Sequence, residues 1–204
     1  MNYDIDELSG KLLKAYDLLE SKYPFINNFK SRLKPIALSE PMTYTHISGV
    51  YSYYTGESNI NTNFPDYTIP FTSAHEMAHQ RGFARENEAN FVAFLVCCES
   101  NDPYIRYSGY LNMYEYVTNA LYLASREDYY SSFYSLDIKV RCEMAKYSEF
   151  FEQYKDSTAS KVSGTLNDNY LKSQGIVEGE KSYGLVVDLA VNYINKNFAE
   201  EAIE

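Results

Sequence analysis

The sequence predicts a mainly α-helical domain with a small β-hairpin and edge-strand element. Three observations lead there. Apolar residues recur at helical spacing through most of the 204 residues. One stretch, residues 42–54, is instead rich in Thr, Tyr, Val and Ile. Most breaks between the helical stretches are short and marked by Pro, Gly or Asn. With no internal repeat, a single domain over residues 1–204 is the simplest organisation: an N-terminal helical segment, 1–33, followed by 34–204.

Residues 4–19 read as an amphipathic helix, with Leu8, Leu12, Leu13, Tyr16 and Leu19 on one side. Pro24 and the region from Pro35 to Pro41 interrupt any helix. "MTYTHISGVYSYY", residues 42–54, reads as strand, turn, strand, with Ser48 and Gly49 at the turn. Residues 56–70 are loop-like, and "YTIPF", residues 67–71, is expected as a short edge strand, because Pro70 cannot donate within a central one. Thr72 or Ser73 then caps a helix that ends at Gly82. The helix expected at 85–99 carries "FVAFLVCC", apolar on nearly every side, which places it at the centre of the core. Asn101, Asp102 and Pro103 break the chain before long helices at 104–125 and 127–153. Residues 156–181, rich in Ser, Gly and Asn, read as a long loop with a helical turn near Tyr170, one that could cover a cleft. A last amphipathic helix, 182–197, uses Leu185, Val186, Leu189, Tyr193 and Ile194.

Composition narrows the function classes. A net charge of -10 repels duplex nucleic acid and anionic lipid, so no nucleic-acid partner is expected. Cys97, Cys98 and Cys142 are odd in number and two are adjacent, which argues against a disulfide framework. No run approaches the ~20 apolar residues that span a bilayer, and the acidic start "MNYDIDELSG" does not resemble a signal peptide. The chain is therefore expected to be soluble as it stands, with no direct membrane insertion.

The informative feature is "HEMAH", residues 75–79. Side chains four apart on a helix share a face, about one turn apart. His75 and His79 can therefore grip one Zn²⁺, each at ~2.0–2.1 Å. Glu76 is turned about 100° around the axis, so it flanks the ion without ligating it, the place for a general base acting on a metal-activated water. Only three histidines occur in the chain. A chance match of two of them to this spacing around a Glu is on the order of one in a few hundred.

A catalytic zinc site usually takes three protein ligands and keeps one position open. After the motif comes "QRGFARENEANF", in which Gly82 allows a sharp turn back towards the metal. Glu86 and Glu88 are the candidate third ligands. Glu86 lies one turn before Asn90, so both project to one face, and Asn90 could hydrogen-bond a ligand histidine and set its tautomer. Glu86 is therefore the favoured ligand, and the Glu that is not the ligand reads as a first-turn acid that complements the helix dipole.

"HEMAH" followed by "RENEAN" resembles the gluzincin arrangement, an HExxH helix and then a helix carrying Glu, three intervening residues, and Asp or Asn. More closely, "PFTSAHEMAHQRGFARENEANF" resembles the signature of an uncharacterised bacterial family of membrane-anchored, zincin-like proteins read as metallopeptidases. Similar tracts are "GVYSYYTGESNIN" upstream and "SYGLVVDL" late in the chain, so the resemblance covers about residues 34–197. It implies a zincin-like metallopeptidase domain, with His75, His79 and Glu86 as zinc ligands, Glu76 as the base and a peptide or protein as substrate. Zincins commonly bind that substrate along an edge strand, here "YTIPF" or the hairpin. His46 and Tyr183 are the candidates for stabilising the oxyanion. The metzincin spacing fits less well, since Arg85 stands where that pattern needs a third His. Family members carry hydrophobic segments ahead of the domain, which implies a membrane-anchored parent with this domain outside the cytoplasm. A zincin-like binding or regulatory domain with weak or no turnover is the alternative expectation.

Overall fold

The first helix begins where a side chain replaces missing backbone partners. Asp4 accepts hydrogen bonds from the N–H groups of Asp6 and Glu7 at 2.9 and 3.2 Å, capping α1 (Ile5–Lys22). The computed structural model describes residues 4–27, 29–155 and 182–201, without the side chains of 182, 183 and 197–201. α1 buries Leu8, Leu12, Ala15, Tyr16 and Leu19 along one stripe, while Leu13 is only partly covered. Fully burying each of the three leucines contributes about 1.5–3 kcal/mol, which ties α1 to the core.

The β element exists but its turn lies elsewhere than expected. The hairpin pairs β2 (Gly49–Ser52) with β3 (Glu57–Ile60), antiparallel, Gly49 opposite Ile60 and Ser52 opposite Glu57. It reverses at residues 53–56, not at Ser48 and Gly49, because Gly56 supplies the left-handed backbone the turn requires, with φ +69°. β3 thus occupies part of the expected loop at 56–70. The short β1 (Lys34–Pro35) pairs with β3 in parallel, giving the order β1-β3-β2 and leaving β2 on the outside. Between β1 and β2, the Pro35–Pro41 region does admit a short helix, α2 (Ser39–Thr43). Pro41 sits in its first turn, where the missing N–H has no intrahelical partner to lose.

The same rule corrects "YTIPF". Those residues open α3 (Thr68–Gln80) instead of forming a strand, with Pro70 again in the first turn. The helix consequently begins before Thr72 and Ser73, and neither caps it. α3 ends as expected near Gly82, whose φ is +97°. α4 (Glu86–Glu99) buries Ala89, Val92, Ala93, Phe94, Leu95, Val96 and Cys97 and packs against α1, α3 and α5 (Pro103–Ala124). Asp102 caps α5, with Pro103 at its first position.

The helix expected at 127–153 is two helices, α6 (Arg126–Ser135) and α7 (Ile138–Glu152). Asp137 makes the break by accepting from the Lys139 N–H at 2.8 Å and starting a new helix. Neither α6 nor α7 fully buries a residue, and α7 is held by rings: Phe150 and Phe151 against Phe64, and Tyr147 against Tyr67. The loop expected at 156–181, including Tyr170, lies outside the described residues. The last helix, α8 (Ser182–Glu201), packs on α4 and α5 through Val186 and Ala190. The domain is mainly α with one small sheet, and no helix among the described residues is long and apolar enough to cross a membrane.

Candidate metal centre

α3 is wedged between α4, α5 and the sheet, and its buried face carries Phe71, Ala74, Met77 and Ala78. Tyr16 of α1 braces it twice. Its hydroxyl donates to the Ala74 carbonyl at 2.7 Å, and its ring lies 3.7 Å from the guanidinium carbon of Arg81. The helix is therefore fixed on both sides of residues 75–79.

His75 and His79 project from one face of α3, with their Nε2 atoms 2.9 Å apart. The turn at Gly82 returns the chain so that α4 starts beside them. Glu86, in the first turn of α4, places one carboxylate oxygen 3.2 Å from His75 Nε2 and the other 3.6 Å from His79 Nε2. Among the described residues this trio is the group of His, Cys, Asp and Glu side chains able to share one ion, with ligand atoms within 4.8 Å of one another.

The donor set suits zinc. Two imidazole nitrogens and a carboxylate oxygen are ligands that zinc accepts. Two donors at ~2.0–2.1 Å from a tetrahedral centre stand about 3.3 Å apart; the two imidazole nitrogens are 2.9 Å apart and each faces a different oxygen of Glu86, at 3.2 and 3.6 Å, separations of that order. His79 is also held for this role: its Nδ1–H donates to the Phe83 carbonyl at 2.7 Å, so in the neutral ring the lone pair is on Nε2.

Charge follows the geometry. Burial opposes ionisation of Glu86, yet hydrogen bonds and positive charge from His75 and His79 outweigh it and hold the carboxyl well below the usual carboxylate range. Burial pulls His79 down, but Glu86 overcomes this, with help from Glu76 and the Phe83 carbonyl, and the imidazole is raised. The site thus stabilises positive charge between these groups.

Glu88 points elsewhere, pairing with Arg85 at 3.4 Å. Asn90 is half-buried one turn beyond Glu86. It does not set either tautomer: His79 Nδ1 uses Phe83, and His75 Nδ1 is buried with no partner among the described residues. His46 is committed to the end of α7 and the turn after it: its Nε2–H donates to the Tyr154 carbonyl at 3.1 Å and its ring packs on Phe151. Tyr183 lies in the first turn of α8, but its side chain is outside the described residues.

Glu76 is 6% exposed. Burial raises its carboxyl above the ordinary value, against the lowering influence of His75, His79 and a hydrogen bond from the Tyr51 backbone N–H. The Ser58 hydroxyl donates to the Glu76 carbonyl at 2.9 Å. Gly49, Tyr51 and Ser58, all on the hairpin, surround Glu76, and motif spacing points to none of them. The one signal available was Gly49, since an isolated Gly in a strand pattern marks close approach of another group. The Phe83 carbonyl had no signal, because a backbone acceptor can come from any residue.

The chain belongs to the family described as a protein of unknown function, DUF3810, whose family model matches residues 2–191. No curated protein and no solved structure matches the chain. The matched range contains His75, Glu76, His79 and Glu86, and the family description assigns them no activity.

Proposed function

We propose that this domain is a zinc-dependent metallopeptidase of zincin-like type, with Glu76 as its general base. One observation carries the reading: the nitrogens of His75 and His79 on α3 and the carboxylate of Glu86 on α4 converge, and the buried Glu76 carboxylate, on the same helix as the two histidines, lies close enough to feel the charge of all three. His75, His79 and Glu86 are the residues that would hold the ion. Zinc, when bound, supplies Lewis acidity that polarises a carbonyl and makes water acidic enough to lose a proton near neutral pH.

Glu76 takes that proton at its carboxylate and returns it to the leaving amine. Its burial favours proton acceptance, since desolvation makes the charged carboxylate a stronger base. The partly exposed Glu86 leaves the trio open to solvent on one side, where a substrate carbonyl can enter. Tyr183 stays in this reading as the sequence-based candidate for oxyanion donor. An extended peptide fits the outer edge of β2, where the backbone at Tyr51 already faces Glu76. The sequence resemblance adds a membrane-tethered parent with this domain outside the cytoplasm.

The test is Glu76→Gln. It keeps about one zinc per chain and loses peptide hydrolysis by roughly 10²–10⁴-fold, the contribution of a general base. Hydrolysis surviving in that variant overturns the mechanism. Zinc binding without turnover by the wild type across a diverse peptide library overturns the enzymatic assignment in favour of a binding domain.

A further inference from the structure

We propose that Gly49 is a positioning residue for Glu76, its missing side chain being the space in which the Glu76 carboxylate lies. This rests on the reading of Glu76 as the general base.

A glycine in a β-hairpin usually answers a need of the backbone. Gly49 does not. The hairpin turns at residues 53–56, and the positive-φ glycines among the described residues are Gly56 and Gly82. Gly49 is extended within β2, paired opposite Ile60, in a conformation any L-residue adopts. What it provides is room. A Cβ at this position would lie 2.6 Å from both Cγ and Oε1 of Glu76 and 2.9 Å from its Cδ. Those are its nearest neighbours, and all belong to one side chain. The end of Glu76 therefore lies directly against the Gly49 backbone.

Two further contacts make this a seat. Tyr51, two residues along the same strand, directs its backbone N–H to the Glu76 carboxylate. Ser58, on β3, donates its hydroxyl to the Glu76 main-chain carbonyl at 2.9 Å. The hairpin thus holds the backbone of Glu76 from one strand and its carboxylate from the other. The three atoms nearest to an added Cβ all belong to Glu76, and none to His75, His79 or Glu86. A methyl group at residue 49 therefore meets the base before any metal ligand, and displacement of Glu76 with the zinc retained is the expected result. Since β2 is an outer strand, this small change can be accommodated without disturbing the core.

The experiment compares wild type with Gly49→Ala, Glu76→Asp and the double variant, on a fluorescence-quenched peptide selected as cleaved by the wild type. Gly49→Ala should retain zinc and its melting temperature, keep KM within about twofold, and lose kcat by roughly ten- to a hundredfold, as misplacement of a catalytic group does. The shorter Asp withdraws from residue 49, so the double variant should be no slower than Glu76→Asp alone. An unchanged kcat in Gly49→Ala, or losses that simply add in the double variant, overturns the proposal.

A second readout needs neither turnover nor metal. Hydrogen exchange at the Tyr51 amide should be slow in the metal-free wild type and faster in both Gly49→Ala and Glu76→Ala, because each removes the acceptor from its place. If Gly49→Ala leaves that exchange unchanged, the positioning role is wrong. If the wild type cleaves nothing, the proposed function falls, and amide exchange still decides the seating of Glu76.

Discussion

His79 Nδ1–H donates to the main-chain carbonyl of Phe83 across 2.7 Å, which orients the imidazole and leaves Nε2 facing His75 and Glu86. A backbone acceptor cannot be replaced by a side-chain substitution, but the turn that presents it can be. Gly82 precedes Phe83 with φ +97° and open space where a Cβ would project. The penalty for Gly82→Ala is therefore conformational, about 1–2 kcal/mol, or a melting-temperature loss of roughly 2–4 °C per kcal/mol in a chain of this size. Zinc affinity should fall with it, because the turn sets both the Phe83 carbonyl and the start of α4. A zinc titration with unchanged affinity in this variant would separate the turn from the site.

Glu86 and Glu88 differ in what they face, and metal binding should report it. Glu86 meets both imidazoles, whereas Glu88 meets Arg85. Glu86→Gln should weaken zinc by more than the roughly 10–100-fold that loss of an outer partner brings, and Glu88→Gln should leave it unchanged. Thermal shift offers the same comparison. A ligand at 100 times its Kd adds about 2.7 kcal/mol of stability, so zinc should raise the melting temperature of the wild type and of Glu88→Gln, and a chelator should reverse it. Equal shifts in both variants would remove Glu86 from the ligand set.

Away from the site, Glu115 makes a pH-dependent prediction. Its carboxylate accepts from the Tyr67 hydroxyl at 2.9 Å, and burial lifts its carboxyl above the ordinary range although that bond opposes the rise. A raised value means the native state binds more protons than the unfolded state. Stability is then greatest below the unfolded value of about 4.3 and declines as pH climbs through the raised native value. Glu115→Gln keeps an acceptor for Tyr67 without the buried charge. Its urea midpoint should match the wild type at low pH and exceed it near neutrality. A gap between the two that does not change with pH would contradict the burial effect.

Helices were legible in the sequence where periodicity and caps agreed. Asp4 with Leu8, Leu12 and Leu19, and Asp102 with Pro103, mark the starts of α1 and α5 by chemistry confined to a few neighbouring residues. Proline misled twice, at Pro41 and Pro70. Its lost donor reads as a break, but a first turn has no use for that donor, and only the packing around it says where the first turn is. Asp137 was hidden for a similar reason, since a single capping residue inside a helical pattern is also compatible with an uninterrupted helix.

By itself the sequence determined the spacing of His75, Glu76 and His79, because side chains four apart share a face on any α-helix. It also limited the third partner to the residues just after Gly82. Tertiary structure decided the rest. It swung Glu86 and not Glu88 onto the imidazoles, gave His79 its backbone acceptor, and brought Gly49 and Tyr51 against a carboxylate that follows them by more than twenty residues. The physical reason is range. Helical spacing is set by local backbone geometry, whereas the direction of α4 and the seating of Glu76 depend on how separate elements pack, which no short stretch of sequence encodes.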